Sequence, residues 1–334
     1  MTSSTQVQLV NRPQGWPTAD DFRTVTIELP DLGPGQVRVR NEFVSVDPYM
    51  RGRMNDVRSY VPPYALGETM TGGAIGHVEE STSEDLPVGS LVVHGFGWRD
   101  VAQGDASGFR RVDAIPGAPN SLHLGVFGMI GMTAYAGLTA VAGLREGDTV
   151  FVSGAAGAVG TAVGQIARLL GAKTVIGSAG TAEKVALLQE KYGYDRAVNY
   201  KEGAIRELLA DAAPDGIDVF FDNVGGDHLE AALDAFNDHG RAALCGSISR
   251  YNATGPAAGP DNLSNLVTRK LTLRGFIVGE HQDLAGEFGT RMAGWFSEGK
   301  IAYDETVVDG IENSVEAFLS MMRGANTGKM LVRV

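Results

Sequence analysis

At 334 residues the chain is long enough for about two domains, each with ample apolar surface to bury. A hydrophobic share of 43% and a charged share of 20% are ordinary for a soluble globular protein, while 40 acidic against 28 basic residues leave a net charge of −12. That field repels nucleic acid and anionic membranes, so any anionic ligand must be held by a local site. A single cysteine, Cys245, excludes an internal disulfide framework and suits a reducing compartment. The first residues, MTSSTQVQLVNRPQG, lack the basic-then-apolar pattern of a signal peptide, which points to the cytoplasm.

Up to about residue 120, short alternating runs such as GQVRVRNEFVSV and GSLVVHGF, separated by Gly, Pro and Asp turns, predict a largely β domain. Residues 122–144, LHLGVFGMIGMTAYAGLTAVAGL, carry no Asp, Glu, Lys or Arg and are long enough to span a bilayer. Their small residues, the polar Thr133, Tyr135 and Thr139, and the lack of flanking basic anchors instead predict one or two helices buried between domains.

Beyond this segment strands alternate with helices. TVFVSG precedes the helix AVGTAVGQIARLLG, KTVIGSAG precedes TAEKVALLQEKYG, DRAVNY precedes EGAIRELLADAA, and IDVFFDNVGG precedes DHLEAALDAFNDHG. RAALCGSIS and LTLRGFIVG supply two further strands. Six such strands predict a complete doubly wound parallel sheet of α/β type. The segment from about Tyr303 reads as strand, short helix and strand (GKMLVRV), and is expected to return to the β-rich part. The expected organisation is therefore a Rossmann domain over 125–303, inserted in a β-rich domain made of 1–124 and 304–334.

The turn in VSGAAGAVGTAVGQIARLLG has the setting of a pyrophosphate cradle, since backbone N–H groups at a helix N-terminus attract an anion and glycines let it approach. The G-x-G-x-x-G fingerprint falls on Ala155, Gly157 and Gly160, with alanine in place of the first glycine and Gly154 just before it. After the second strand, in VIGSAGTAEK, no carboxylate occurs until Glu183, and Lys184 follows it. An acid there would recognise a free ribose 2′-hydroxyl, so its absence favours NADP(H), with Lys184 read as a 2′-phosphate ligand or as a solvated helix lysine.

Other chemistries lack their residues. A catalytic zinc of the alcohol dehydrogenase kind wants two cysteines and a histidine, and a structural zinc wants four thiolates. One cysteine supplies neither, and His77, His94, His123, His228, His239 and His281 show no close ligand spacing. Cys245, in an apolar strand, reads as a small buried residue. No nucleophile elbow and no P-loop occurs, which leaves hydride transfer without a metal.

SVDPYMRG (45–52), AAGAVGTAVGQIARLLGAK (155–173), FDNVGG (221–226), CGSISRYNATGP (245–256), LRGFIVG (273–279) and NTGKMLV (326–332) resemble the zinc-independent branch of the medium-chain dehydrogenase/reductases. Within it, the chain is most similar to the prostaglandin reductases, 2-alkenal double-bond reductases and curcumin reductases, along essentially its whole length. The resemblance implies a GroES-like fold for the β-rich domain, a homodimer, and NADPH-dependent reduction of the C=C bond of α,β-unsaturated aldehydes and ketones. It also implies cofactor contacts at Gly157, Ala158, Val159 and Gly160, at Ser178, and at Lys184 and Tyr200 for the 2′-phosphate end. Further contacts are implied at Asn223, along Cys245, Gly246, Ser247, Ile248 and Tyr251, at Phe276, Ile277 and Val278 by the nicotinamide, and at Asn326.

Hydride addition to an enone leaves negative charge on the carbonyl oxygen, which a hydroxyl can stabilise and a phenol can also protonate. Tyr49 and Tyr251 match family site positions, and each reads as a catalytic tyrosine or as a packing or loop tyrosine. Several family members carry a tyrosine seven residues before the glycine of GFIV, where this chain has Thr268. The donor is then Tyr49, Tyr251, Thr268 or a cofactor ribose hydroxyl. A quinone oxidoreductase of the same superfamily, and an NADPH-binding protein without turnover, are the alternatives. Apolar residues in NATGPAAGP suggest a hydrophobic substrate.

Overall fold

The structure, a computed structural model, describes residues 2–256 and 258–334. Ala257, part of the NATGPAAGP loop, lies outside the described residues, as does Met1. The chain divides into two compact units, Met1–Gly125 with Glu305–Val334, and Val126–Asp304.

The first unit is β-rich. Strands β1 (Ser3–Leu9) and β2 (Phe22–Glu28) pair antiparallel. The long β3 (Gln36–Ser45) leads into a short helix α1 (Tyr49–Arg53) and is followed by β4 (Ala74–Ser81), β5 (Leu91–His94), β6 (Val101–Asp105) and β7 (Phe109–Arg111). Val37, Val39, Val78, Val92, Ala102 and Phe109 alternate inward from these strands and form one core cluster. Arg38 is also buried, and its guanidinium is satisfied by Gln103 Oε1, the Pro30 carbonyl, Thr2 Oγ1 and Glu80.

The second unit opens with the apolar segment. It resolves into helix α2 (Met129–Ala136) and a π-helical turn over Gly137–Val141, both largely buried. Among the described residues no helix is long and apolar enough to cross a membrane. Strands β8 (Thr149–Val152), β9 (Thr174–Ala179), β10 (Arg196–Asn199), β11 (Ile217–Asp222), β12 (Phe236–Leu244) and β13 (Thr272–Gly275) form a parallel sheet in the order β10-β9-β8-β11-β12-β13. Their near-continuous apolar runs reflect burial on both faces. Helices α3 (Ala158–Leu169), α4 (Ala182–Lys191), α5 (Ile205–Ala212), α6 (Asp227–Ala235), α7 (Ser264–Thr268) and α8 (Ala285–Ser297) connect or follow these strands. The order reverses between β8 and β11, the crevice at which such sheets bind ligands. The sheet is thus the doubly wound α/β fold that the repeated strand and helix pattern predicts.

One boundary differs from the sequence expectation. FNDHG (236–240) reads as the end of helix α6, but Phe236 starts β12. His239 takes a left-handed conformation (φ 64°), which no helix continues through, and the β11/β12 register slips at this point. The strand also ends at Leu244, so Cys245 opens the loop after it.

The chain then returns to the first unit as β14 (Glu305–Asp309), helix α9 (Ser314–Met322) and β15 (Lys329–Arg333). This completes a sheet of order β14-β15-β3-β4-β5-β7, with β6 also on β3. Phe43, Ile75, Leu91, Leu124 and Leu331 pack as its second core cluster.

Candidate functional site

The turn between β8 and α3 is shaped by Gly154, which takes φ 59°. The left-handed position of this turn therefore falls one residue before the first fingerprint glycine, which explains how Ala155 is accepted there. Ala155 is fully buried, and its N–H donates to the Ser178 carbonyl at 2.8 Å. Gly157 is the N-cap of α3, with no side chain capping the helix and no acid in its first turn. The N–H groups of the first turn, at Ala158, Val159 and Gly160, thus have an uncompensated positive end, as an incoming phosphate requires.

The turn is supported from beneath. Ser178 is fully buried, and its hydroxyl accepts from the Gly154 N–H at 3.3 Å, so its part is to hold the turn. Tyr194, also buried, donates its hydroxyl to the Gly160 carbonyl at 2.7 Å. Its ring occupies space vacated by Gly164, where a Cβ would lie 2.2 Å from it.

At the ends of β9 and β10, Thr181 caps α4 by accepting from the Lys184 N–H. Lys184 is half-buried, and burial, together with the nearby Lys201 ammonium, pulls its pKa below the usual lysine value. The Tyr200 hydroxyl reaches back over Gly180, and its ring meets that of His228 edge-on at 5.4 Å. Two cations and a phenol at the adjacent ends of β9 and β10 are the kind of groups that recognise a dianion. Lys201 was not singled out by the sequence, because only the pairing of β10 with β9 brings it beside Lys184.

At the end of β11 the Asn223 carboxamide donates to the Ser153 carbonyl at 2.8 Å. The following loop leans on the same strand end, with Ile248 N–H donating to the Asn223 carbonyl and Ser249 N–H to that of Val224, both at 3.2 Å. A Cβ on Gly246 would lie 3.2 Å from the Tyr251 hydroxyl and 3.4 Å from the Asn223 carbonyl. Asn223, Gly246 and Tyr251 are therefore neighbours, and Ser247 and Ile248 belong to the same cradle. Cys245 beside them has its thiol pushed up to about 12 by burial and by Asp222, so it stays protonated and inert.

Phe276, Ile277 and Val278 divide their roles. Phe276 packs inward, edge-on to Phe221 at 6.2 Å, while Ile277 and Val278 keep partly exposed apolar surface. The wall expected of all three is thus offered by the latter two, with Phe276 behind them. Thr268 stands exposed on α7, its hydroxyl turned back to the Ser264 carbonyl at 3.4 Å.

In the first unit, Tyr49 opens α1 directly after Asp47 and Pro48. Lys329 is buried and donates to Asp47 Oδ1 at 3.0 Å and to the Val46 and Met330 carbonyls, each at 2.8 Å, while Ser45 donates to the other Asp47 oxygen. The motifs SVDPYMRG and NTGKMLV are joined by this ion pair. Asn326, in the turn before Lys329, donates to the Gly328 carbonyl at 2.8 Å. Burial, then the charges of Asp47 and the neighbouring phenol Tyr64, push the Tyr49 phenol well above the usual tyrosine range. It is a neutral hydroxyl at any working pH.

Comparison with known proteins gives two family matches, described as the N-terminal domain of oxidoreductase over residues 5–112 and as zinc-binding dehydrogenase over residues 158–293. The NADPH-dependent curcumin reductase of Escherichia coli is 39% identical over 98% of this chain and 95% of its own. Prostaglandin reductase 1 of Rattus norvegicus is 41% identical over 96% of each chain. The crystal structure of CurA from Vibrio vulnificus in complex with NADPH matches with a TM-score of 0.93 at 39% identity, over 99% of both chains. The zinc in the second family's description finds no ligand set among the described residues. There is one cysteine in all, and among the described residues no group of three or more His, Cys, Asp or Glu is placed to hold a metal.

Proposed function

The chain belongs to the medium-chain dehydrogenase/reductases, in the branch of the curcumin and prostaglandin reductases, and from this we propose that it reduces the C=C bond of α,β-unsaturated ketones and aldehydes. It is an NADP-dependent oxidoreductase, and bound NADPH supplies the hydride.

The residues present fit that cofactor. The uncapped helix start at Gly157, Ala158, Val159 and Gly160 suits the pyrophosphate. Lys184, Lys201 and Tyr200 suit a ribose 2′-phosphate. Asn223, Cys245, Gly246, Ser247, Ile248, Ile277 and Val278 suit the nicotinamide half, backed by Phe276, while Ser178 supports the pyrophosphate turn, and Asn326 is assigned to the cofactor. The apolar side chains of Ile277 and Val278 keep water from the transferring hydride.

The observation that carries the reaction is the Tyr49 phenol, which is half-buried, neutral and seated on a turn locked by the Asp47–Lys329 pair. A phenol whose proton is held donates to a carbonyl oxygen as negative charge builds there, and so stabilises an enolate. Tyr251, beside Asn223 and Gly246, is the second donor and the candidate acid toward the α-carbon. Thr268 is the weaker candidate because its hydroxyl is turned onto its own helix. The substrate is assigned as small and hydrophobic, the compartment as the cytoplasm, which suits the one unpaired cysteine, and the assembly as a homodimer.

The test is NADPH oxidation with a medium-chain enone, with the product identified by mass and NMR. A saturated ketone is expected. An allylic alcohol would show carbonyl reduction, and tight NADPH binding with no turnover of enones would favour quinone reduction or a binding protein.

A further inference from the structure

Two side chains that no ligand can touch organise the strand end just described. Asp222 closes β11 and is 2% exposed, and Ser153 beside it is 0% exposed. One oxygen of Asp222, Oδ1, accepts from Ser153 Oγ at 2.8 Å, from the Gly225 N–H at 2.9 Å and from the Val224 N–H at 3.0 Å. Ser153 Oγ in turn accepts from the Asn223 N–H at 2.8 Å and the Val224 N–H at 3.2 Å. The Asp222 main-chain carbonyl accepts from Cys245 N–H at 2.8 Å and Gly246 N–H at 3.0 Å.

A buried carboxylate is costly unless donors surround it, and here the donors are the Ser153 hydroxyl and the backbone N–H groups of Val224 and Gly225. A neutral apolar pair would serve packing alone. It would not fix the direction of the three consecutive N–H groups of Asn223, Val224 and Gly225 at the carboxyl end of a switch-point strand, where open α/β sheets bind ligands. One N–H of the Asn223 carboxamide is given to the Ser153 carbonyl, which orients the side chain and leaves its oxygen as an acceptor for a ligand.

We propose that Ser153 and Asp222 are positioning residues that aim the Asn223 carboxamide oxygen, and set the 245–246 turn, for a hydrogen-bond donor on the nicotinamide half of the cofactor, such as a carboxamide N–H or a ribose hydroxyl. The inference rests on the reading of this crevice as the cofactor site. It makes Ser153 and Asp222 act on one half of the cofactor only, through Asn223.

The experiment compares Ser153→Ala with wild type for binding of NADPH, NADH and adenosine 2′,5′-bisphosphate, which carries only the adenosine half. The expected result is a roughly tenfold loss of affinity for NADPH and NADH alike, since an orphaned buried donor or acceptor is expensive, with the bisphosphate unchanged. Equal weakening of all three ligands, or no change in any, overturns the positioning role, the former because it marks a general structural defect. Should Ser153→Ala not fold, Asp222→Asn, which keeps the shape, is read against the same three ligands. Wild-type protein that binds neither NADPH nor the bisphosphate would sink the cofactor reading itself, and the inference with it.

Discussion

Lys184 and Lys201 follow the ends of the adjacent strands β9 and β10, and on the proposed reading their mutual repulsion is relieved when a dianion enters. Removing one of them costs a charge-assisted hydrogen bond, about 1.5–3 kcal/mol, or roughly 10- to 100-fold in KM for NADPH. NADH offers no phosphate there, so Lys184→Ala should leave its KM nearly unchanged. Steady-state kinetics with both cofactors decides it, and an equal change in both would remove Lys184 from phosphate recognition. The tyrosines are tested by turnover. Tyr49→Phe and Tyr251→Phe each keep the ring and lose the donor, and a general acid or enolate donor is worth about 10²-fold or more in kcat. Cofactor KM should hardly move. Unchanged kcat in both variants would shift the role to a ribose hydroxyl or Thr268.

At the scale of elements, α3 is held to the sheet by a ring in the place of a side chain. A Cβ on Gly164 would press within 2.2 Å of the Tyr194 ring, whose hydroxyl holds the Gly160 carbonyl. Overpacking of this kind costs roughly 1–3 kcal/mol, so Gly164→Ala should lower the urea midpoint and weaken NADPH binding together. A variant as stable as wild type would show that Tyr194 moves aside freely. The strands and helices of the sheet were legible in the sequence because apolar runs and amphipathic stretches alternate with glycine-rich turns. Phe236 to Gly240 was not, because a short polar run after a helix keeps helical composition until a left-handed residue, His239, breaks it. The fingerprint turn was legible as a motif, yet its left-handed position at Gly154 depends on backbone angles that no spacing encodes. Lys201, Ser153 and Asp222 were missed for one reason. Each gains its proposed role through strand pairing, and lysine, serine and aspartate at strand ends carry no periodic signal.

For the whole molecule, the proposed homodimer has a candidate surface in the second unit. Strand β13 is an open edge of the sheet, and Leu263 and Val267 beside it are 48% and 81% exposed. Val267→Glu should convert a dimer to a monomer in sedimentation at micromolar concentration, and a wild-type monomer would dismiss the assignment. Two buried histidines contribute to the acid sensitivity of the fold. His94 accepts from the Phe96 N–H through Nδ1 at 3.2 Å, which leaves its Nε2 to donate to Asn41 Oδ1 at 2.7 Å, a neutral ring. Burial, then Arg99, lowers its pKa to about 3, and burial lowers that of His228 to about 4. An unfolded histidine takes its proton near pH 6.5, so between that pH and these folded values the unfolded chain binds more protons. The stability they contribute is complete above about pH 6.5 and is lost as the pH falls, by up to about 1.4 kcal/mol per pH unit for each ring. Asp222 and Glu305, whose pKa values burial raises, act in the opposite sense, because the folded chain holds their protons longer as pH rises. His228 isolates the effect, since its Nε2 is buried with no hydrogen-bond partner among the described residues and its ring already packs against Phe151 and Tyr200. His228→Phe keeps the packing and removes one titration, so the fall of the urea midpoint between pH 6.5 and 4 should flatten by about one proton's slope. A variant that follows the wild-type curve would mean that His228 already accepts its proton in the folded chain.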